Sequence, residues 1–192
     1  IKLDDFSGTW VNWMETIPPF ELSPKLEFSD IIVPTVDSVR YMWITDTLAQ
    51  HGLHVMCVGP TGTGKTLNVN NKLMAGMPEK YLPIFIGFSA QTSANQTQDL
   101  LDAKMDKRRK GIYGPAAGKK YIIFVDDVNM PQREEYGAQP PIEILRMWMN
   151  HGFWYDRKLM EKRQIIDISF VGALGPPGGG RQIVTNRFLR YF

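Results

Sequence analysis

The chain has 192 residues, a formal charge of +2, 43% hydrophobic residues and 22% charged residues. That length supports one substantial core, the composition is globular rather than disordered, and the near balance of charge gives no electrostatic case for nucleic acid or an anionic membrane as partner. The single cysteine, Cys57, excludes an intrachain disulfide framework and a clustered cysteine zinc site.

The first thirty residues are rich in proline and aromatics and keep no period, so they read as an arm, with Trp10 and Trp13 packing it onto a neighbouring surface. Val33 is biased away from helix by Pro34, and a helix is expected from about Asp37 to Gln50, opened by a capping side chain and stopped by Gly52. "LHVMCVGP" is an apolar strand in which Cys57 is a small core residue; a glycine-rich turn follows, then a helix from about Gly64 to Ala75. "YLPIFIGFSA" is a second strand. A long polar helix begins near Thr92, and its basic end, "KMDKRRKGIYGP", reads as a solvated helix C-terminus. "YIIFVDD" is a third strand, and "PIEILRMWMNHGFW" a helix with Ile142, Leu145, Trp148 and Met149 on its core side. A polar excursion from Phe153 leads to a fourth strand ending in "FVGAL", and "GPPGGGRQIVTNRFLRYF" closes the sequence. Apolar strands alternating with helices indicate an α/β fold with a parallel sheet covered on both faces. No apolar run approaches the ~18 residues of a membrane span and no signal peptide opens the sequence, which sets the expectation of a soluble, intracellular chain. His51, His54 and His151 have no carboxylate or cysteine cluster around them, so metal or catalytic roles are not expected.

"GPTGTGKT" fits the phosphate-loop pattern G-x-x-x-x-G-K-[ST], with an apolar strand before it and a helix after it. Gly62 and Gly64 let successive N–H groups converge on phosphate oxygens, and the new helix adds its positive end. Lys65 reaches the outer phosphates, and Thr66 offers a hydroxyl to Mg²⁺. The candidate nucleotide-binding set is therefore Gly59, Pro60, Thr61, Gly62, Thr63, Gly64, Lys65, Thr66 and Leu67. Asp126 ends a strand 61 positions beyond Lys65 (126 − 65), room enough for another strand and helix. It would share Mg²⁺ with Thr66, and Asp127 would orient or deprotonate the attacking water. Because both Thr66 and Asp126 serve one ion, the strand before the phosphate loop is expected beside the strand ending at Asp126.

"VPTVDSVRY", "GPTGTGKT", "FSAQTSANQTQ", "FVDDVNMP" and "GALGPPGGGR…TNRFLRYF" together resemble an AAA+ module of a dynein heavy chain, most like the third AAA+ module of axonemal dyneins. The resemblance runs from Ile31 to Phe192 and implies a P-loop NTPase fold, the large αβα subdomain, with a mainly parallel sheet flanked by helices. Residues 1–30 are similar to the connection from the preceding module, and the final strand and helical lid of such modules would lie beyond Phe192. It further implies ATP or ADP with Mg²⁺ as ligands, and neighbouring modules of the same heavy chain as partners in a six-module ring. Microtubules would be reached indirectly through the rest of a motor in the cytoplasm, on the cytoskeleton of a ciliary or flagellar axoneme. By the same resemblance Val33, Pro34 and Thr35 would lie near the adenine. Arg187 and Arg190 match the arginine-finger region, acting on the preceding module's nucleotide; as residues alone they read equally as surface arginines on a final helix.

Two departures from that pattern concern turnover. Asp127 stands where the hydrolytic Glu usually stands, and Gly175 where AAA+ proteins usually carry a polar sensor. Asp is shorter than Glu by about 1.5 Å, and a misplacement of about 1 Å can cost on the order of a hundredfold in rate. The expectation is a nucleotide-binding regulatory module with slow hydrolysis. A fully active ATPase of a midasin-like remodelling type, and a ring spacer without nucleotide, are the alternative readings.

Overall fold

The computed structural model describes residues 2–3, 7–21, 27–28 and 31–192, and divides into a first unit of residues 1–46 and a second of residues 47–192. Residues 1, 4–6, 22–26 and 29–30 of the expected arm lie outside the described residues.

In the first unit, β1 (Lys2–Leu3) pairs antiparallel with β2 (Trp10–Val11). A 3₁₀ turn at Trp13–Thr16 follows, opened by the Asn12 side chain accepting from the Met14 amide at 3.1 Å. Trp13 is buried and its ring lies 5.5 Å from that of Trp43. Trp10, expected to pack as well, is 68% exposed. Trp43 belongs to α1 (Val36–Gln50), whose start is held reciprocally: the Ser38 amide donates to Thr35 Oγ1 at 3.2 Å and the Thr35 amide to Ser38 Oγ at 2.8 Å. These bonds supply the capping side chain that the sequence calls for.

The second unit is built on four parallel strands. β3 (Val55–Val58), β4 (Tyr81–Gly87), β7 (Lys120–Asp126) and β10 (Ile168–Leu174) assemble in the order β3–β10–β7–β4. The strand before the phosphate loop therefore does not lie beside the strand ending at Asp126, as expected from sequence; β10 runs between them. The expectation failed because adjacency in a parallel sheet is set by crossovers, which local residue patterns do not encode.

Alternation along these strands gives the sheet two apolar faces. Ile84, Ile86, Ile123, Val125 and Phe170 point one way and form one core with Leu101 of α3 (Ala94–Asp102) and with Ile142, Leu145 and Trp148 of α4 (Pro140–His151). Met149, on the same stripe, packs against that core half-buried. Ile122, Phe124, Val171 and Ala173 point the other way and are also buried. Val69 and Leu73 are buried on α2 (Lys65–Ala75), which contacts β4. Cys57 is half-buried rather than a core residue, because β3 ends the sheet order and has only β10 as a paired neighbour among the described residues. Phe170, Phe188 and Phe192 stack with centroids 5.2–6.2 Å apart, pinning the short α5 (Asn186–Leu189) to the first face.

The segment from Lys104 to Pro115, expected as a helix end, is instead a hairpin of β5 (Asp106–Arg109) and β6 (Ile112–Gly114), turning at Gly111 with φ 75°. The expected polar excursion contains β8 (Phe153–Tyr155) and β9 (Lys162–Ile165). The four make a second sheet, ordered β5–β6–β9–β8, with β6 and β9 parallel. All four strands are too short to show an apolar period, and β5 and β9 are charged as well, so their pairing is written in tertiary contacts rather than in the pattern.

A polar network ties this sheet to α3. Trp154 Nε1 donates to Asp102 Oδ1 at 2.9 Å, and Arg163 reaches Asp102 at 3.2 Å and also bonds Asp156. The Leu159 and Lys158 amides, with a further contribution from Arg163, hold the Asp156 carboxyl below its ordinary value against the effect of desolvation. A carboxylate whose folded pKa is depressed stabilises the fold above its unfolded value, near pH 4, and loses that contribution as pH falls through the folded value. Asp156→Asn is thus expected to flatten the acid limb of the stability-versus-pH curve below about pH 4 relative to wild type. Denaturant titrations at stepped pH measure this; an acid limb of unchanged steepness would show that Asp156 is not part of it.

Candidate functional site

The chain leaves β3 at Val58 and becomes helical again at Lys65. Between them the backbone reverses through Gly62 and Gly64, both left-handed at φ 82° and 74°, where a Cβ would be strained. Gly59 is tied to the sheet by its amide, which donates to the Leu174 carbonyl at 3.3 Å. Thr63 Oγ1 donates to the Pro60 carbonyl at 2.9 Å and braces the loop from within. The Lys65 ammonium folds back over the loop and donates to the carbonyls of Gly59 and Pro60, each at 2.7 Å. Helix α2 starts here, so its unpaired N–H groups and the Lys65 charge present one positive field.

That field faces a cavity of about 270 Å³, with the loop and Thr66 on one side and Asp126 and Asp127 on another. Leu67 lies on its wall, half exposed. The volume is near the low end for small-molecule sites, a size suited to phosphates rather than to a whole nucleotide. Asp126 Oδ1 accepts from the Asp127 amide at 3.0 Å, which fixes the carboxylate at the strand end. A hydroxyl and a carboxylate beside phosphate-binding amides form a hard-oxygen donor set that suits Mg²⁺, which takes few protein ligands and keeps water and phosphate oxygens.

Asp127 is held unusually. Its backbone is left-handed at φ 50°, a conformation that Asp tolerates better than most residues. Its Oδ1 accepts from Arg181 Nη2 at 3.0 Å and from Arg181 Nε at 3.3 Å. Arg181 arrives by a tight reversal. Gly178 and Arg181 exchange backbone hydrogen bonds at 3.0 and 3.1 Å, around Gly179 and Gly180 with φ 58° and 90°. Positive φ at both central positions is the requirement of a type I′ turn, which three consecutive glycines meet without strain.

Two further residues complete the placement. The buried Asn129 donates from Nδ2 to the carbonyls of Gly175 and Gln182, at 2.8 and 3.1 Å, and its backbone carbonyl accepts from the Gln182 amide at 2.8 Å. Both feet of the glycine loop are thereby clamped to the segment after β7. Gly175 leaves the space through which the arginine passes: a Cβ there would sit 2.9 Å from Arg181 Cδ and Nε. The missing polar sensor at Gly175 is therefore not an empty position, since the Arg181 side chain occupies it. Sequence reasoning marked Gly175 and the "GPPGGGR" string but did not assign Arg181 or Asn129 to the site. The usable signal was a glycine triplet able to reverse the chain, with a cation directly after it.

Val33, Pro34 and Thr35 belong to the first unit; Val33 is exposed, and the Thr35 hydroxyl is engaged with Ser38. Arg187, on α5, is largely exposed and reaches Glu143 Oε2 at 3.3 Å, a carboxylate that also accepts from Arg146 Nε at 2.6 Å. Arg190 donates to Asn150 Oδ1 at 3.2 Å and to Tyr191 Oη at 2.8 Å. Neither lines the cavity that holds Lys65 and Asp126.

A family described as the P-loop containing dynein motor region matches residues 20–192. Among curated proteins, dynein axonemal heavy chain 1 of Mus musculus is 54% identical over 185 residues, covering 96% of this chain and 4% of the relative. Dynein axonemal heavy chain 12 of Mus musculus is 51% identical over 187 residues, covering 96% and 6%. Dynein axonemal heavy chain 3 of Homo sapiens is 48% identical over 187 residues, covering 96% and 4%. The chain thus spans only about a twentieth of the length of these relatives. With a strand–loop–helix that presents Lys65 and Thr66 to Asp126, and a family match from residue 20 to residue 192, the chain belongs to the P-loop containing dynein motor region family.

Proposed function

We propose that this chain is a regulatory nucleotide-binding segment of an axonemal-type dynein heavy chain, corresponding to the large subdomain of its third AAA+ module. The observation that carries the reading is the split within one cavity. Lys65, Thr66 and Asp126 face it with their binding chemistry intact, while Asp127, in the position of the base, is engaged by Arg181. In this reading residues 1–30 connect to a preceding module and residues 31–192 form the large subdomain. Neighbouring modules of the same chain are its direct partners, and microtubules are reached through the rest of an axonemal motor.

The loop amides and the N-terminus of α2 bind the phosphates of ATP or ADP, and Lys65 exchanges its two loop carbonyls for phosphate oxygens. Thr66 and Asp126 would hold Mg²⁺, which when bound neutralises charge on the outer phosphates. Hydrolysis requires a carboxylate that is free to orient water and accept its proton. Asp127 is short for that task, and its Oδ1 is taken by two N–H groups of Arg181. Val33, Pro34 and Thr35 would contribute to the adenine side, and Arg187 or Arg190 to a neighbouring module's nucleotide.

Lys65→Ala is expected to weaken binding of Mg·ADP by roughly ten- to a hundredfold, the loss of one or two charge-assisted hydrogen bonds. Asp127→Asn leaves ADP affinity within about twofold, since it removes no phosphate donor. Titration with a fluorescent ADP measures both, and equal affinity in Lys65→Ala and wild type would remove the nucleotide reading. The chain on its own should hydrolyse ATP slowly, because an arginine supplied by a neighbour can be worth roughly 10³ to 10⁵ in rate. Arg187→Ala should leave ADP affinity at Lys65 unchanged. Brisk turnover by the chain alone, or loss of its own nucleotide in Arg187→Ala, would contradict these assignments.

A further inference from the structure

We propose that Arg181 is the residue by which this site distinguishes a nucleoside triphosphate from a diphosphate: it is latched on Asp127 until a terminal phosphate draws it away. The proposal rests on the nucleotide reading above and assigns a role that neither the phosphate loop nor Asp126 fills.

Four features support it. First, Arg181 lines the same cavity as Lys65, Thr66 and Asp126, although it lies 116 positions beyond Lys65 (181 − 65). Second, its grip on Asp127 is not the two-oxygen fork that makes arginine–carboxylate pairs strong. Nε and Nη2 both converge on Oδ1, at 3.3 and 3.0 Å. The side chains are 23% and 40% exposed, so water screens the pair and the contact is easily given up. Third, a phosphate offers the same guanidinium more negative charge and a pair of oxygens that its planar fork can bind together, and thus competes well for it. Fourth, the path of the side chain is built for this one residue. The glycine reversal at 178–181 aims it, Asn129 clamps both feet of the loop, and Gly175 leaves open the space that the side chain crosses, where a Cβ would sit 2.9 Å from Arg181 Cδ and Nε.

The arrangement couples two events. While Arg181 rests on Asp127, the carboxylate is occupied; when the guanidinium moves to a terminal phosphate, Asp127 is released beside the cavity, and its reach, about 1.5 Å shorter than that of Glu, is then what keeps turnover slow. A diphosphate, lacking that phosphate, leaves the latch closed. Affinity for the triphosphate is therefore lowered by whatever the Arg181–Asp127 contact contributes, and this competition gives the proposal its distinctive sign.

The test is a titration of the whole chain with Mg²⁺, using fluorescent ADP and a fluorescent non-hydrolysable ATP analogue. Arg181→Ala should weaken the triphosphate analogue about tenfold while changing ADP by less than about twofold. Arg181→Lys, which keeps the charge without the fork, should restore part of the loss. Gly175→Asn should reproduce the selective loss by displacing the arginine. Asp127→Ala should act in the opposite direction, strengthening the triphosphate analogue a few-fold, and the gain should vanish in Arg181→Ala/Asp127→Ala. An equal loss for both nucleotides in Arg181→Ala would make the arginine a structural brace, and an unchanged ratio would remove it from the phosphate; either result overturns the latch alone. A wild-type chain that binds neither nucleotide overturns the nucleotide reading and the latch with it.

Discussion

Parallel pairing of β10 with β3 on one side and β7 on the other is the constraint on which the site depends. The register sets Leu174 opposite Val58 and Gly172 opposite Val125, so the three strands reach one edge of the sheet together. Neighbouring strands lie about 4.8 Å apart, so the chain exits of β3 and β7 are separated by roughly 10 Å. A phosphate chain with its ion fits that interval. The loop after β3 brings donors, β7 brings carboxylates, and the segment after β10, emerging between them, must cross the gap. Slipping β10 by one residue would turn Phe170 and Leu174 out of the main core, so burial on both faces holds the three exits level.

That central position explains why residues 175–182 carry so many devices. A side chain at Gly175 would meet Arg181, three left-handed glycines make the return, and Asn129 closes the loop at both ends. Its amide is oriented by the two carbonyls it serves, since only the nitrogen can donate. Ordering three glycines costs conformational entropy, and the clamp from a buried residue offsets part of it. Helix α5 then begins at Asn186, and its Phe188 joins the Phe170 stack, so the loop is anchored at its far end as well.

Much of this was legible in the sequence, for identifiable reasons. The four sheet strands, the helices and the phosphate loop announce themselves through apolar runs, a Gly stop at 52 and the G-x-x-x-x-G-K-T spacing. The Ile142–Leu145–Trp148 stripe read correctly as core because the 3.6 period is local. The second sheet was missed because Asp106–Arg109 and Lys162–Ile165 are charged segments without an apolar period, and because the sheet is joined by β6 pairing with β9 across about fifty residues. Strand order was missed because nothing local specifies a crossover. Arg181 was missed for a third reason: its role depends on a void left by Gly175, and a missing Cβ read in isolation suggests only lost function.

The same void changes what the short carboxylate means. Taken alone, Asp127 reads as a base displaced by about one bond, a defect of distance. In the fold it occupies a left-handed backbone position and meets an arginine, and both conditions favour Asp over Glu. A Glu there would carry a longer side chain from a backbone conformation it adopts less readily, and would bring its carboxylate past the point where Arg181 now rests. Asp127, Gly175 and Arg181 are therefore one substitution in physical terms: the shorter acid, the absent Cβ and the inserted cation each make room for the others. A fully buried pair would resist separation, because each charge left alone would be unsolvated. At 23% and 40% exposure the pair is screened, worth on the order of 0–1 kcal/mol, and water can solvate either partner during exchange. Partial burial thus makes the contact a reversible one, which is what the proposed exchange with a phosphate requires.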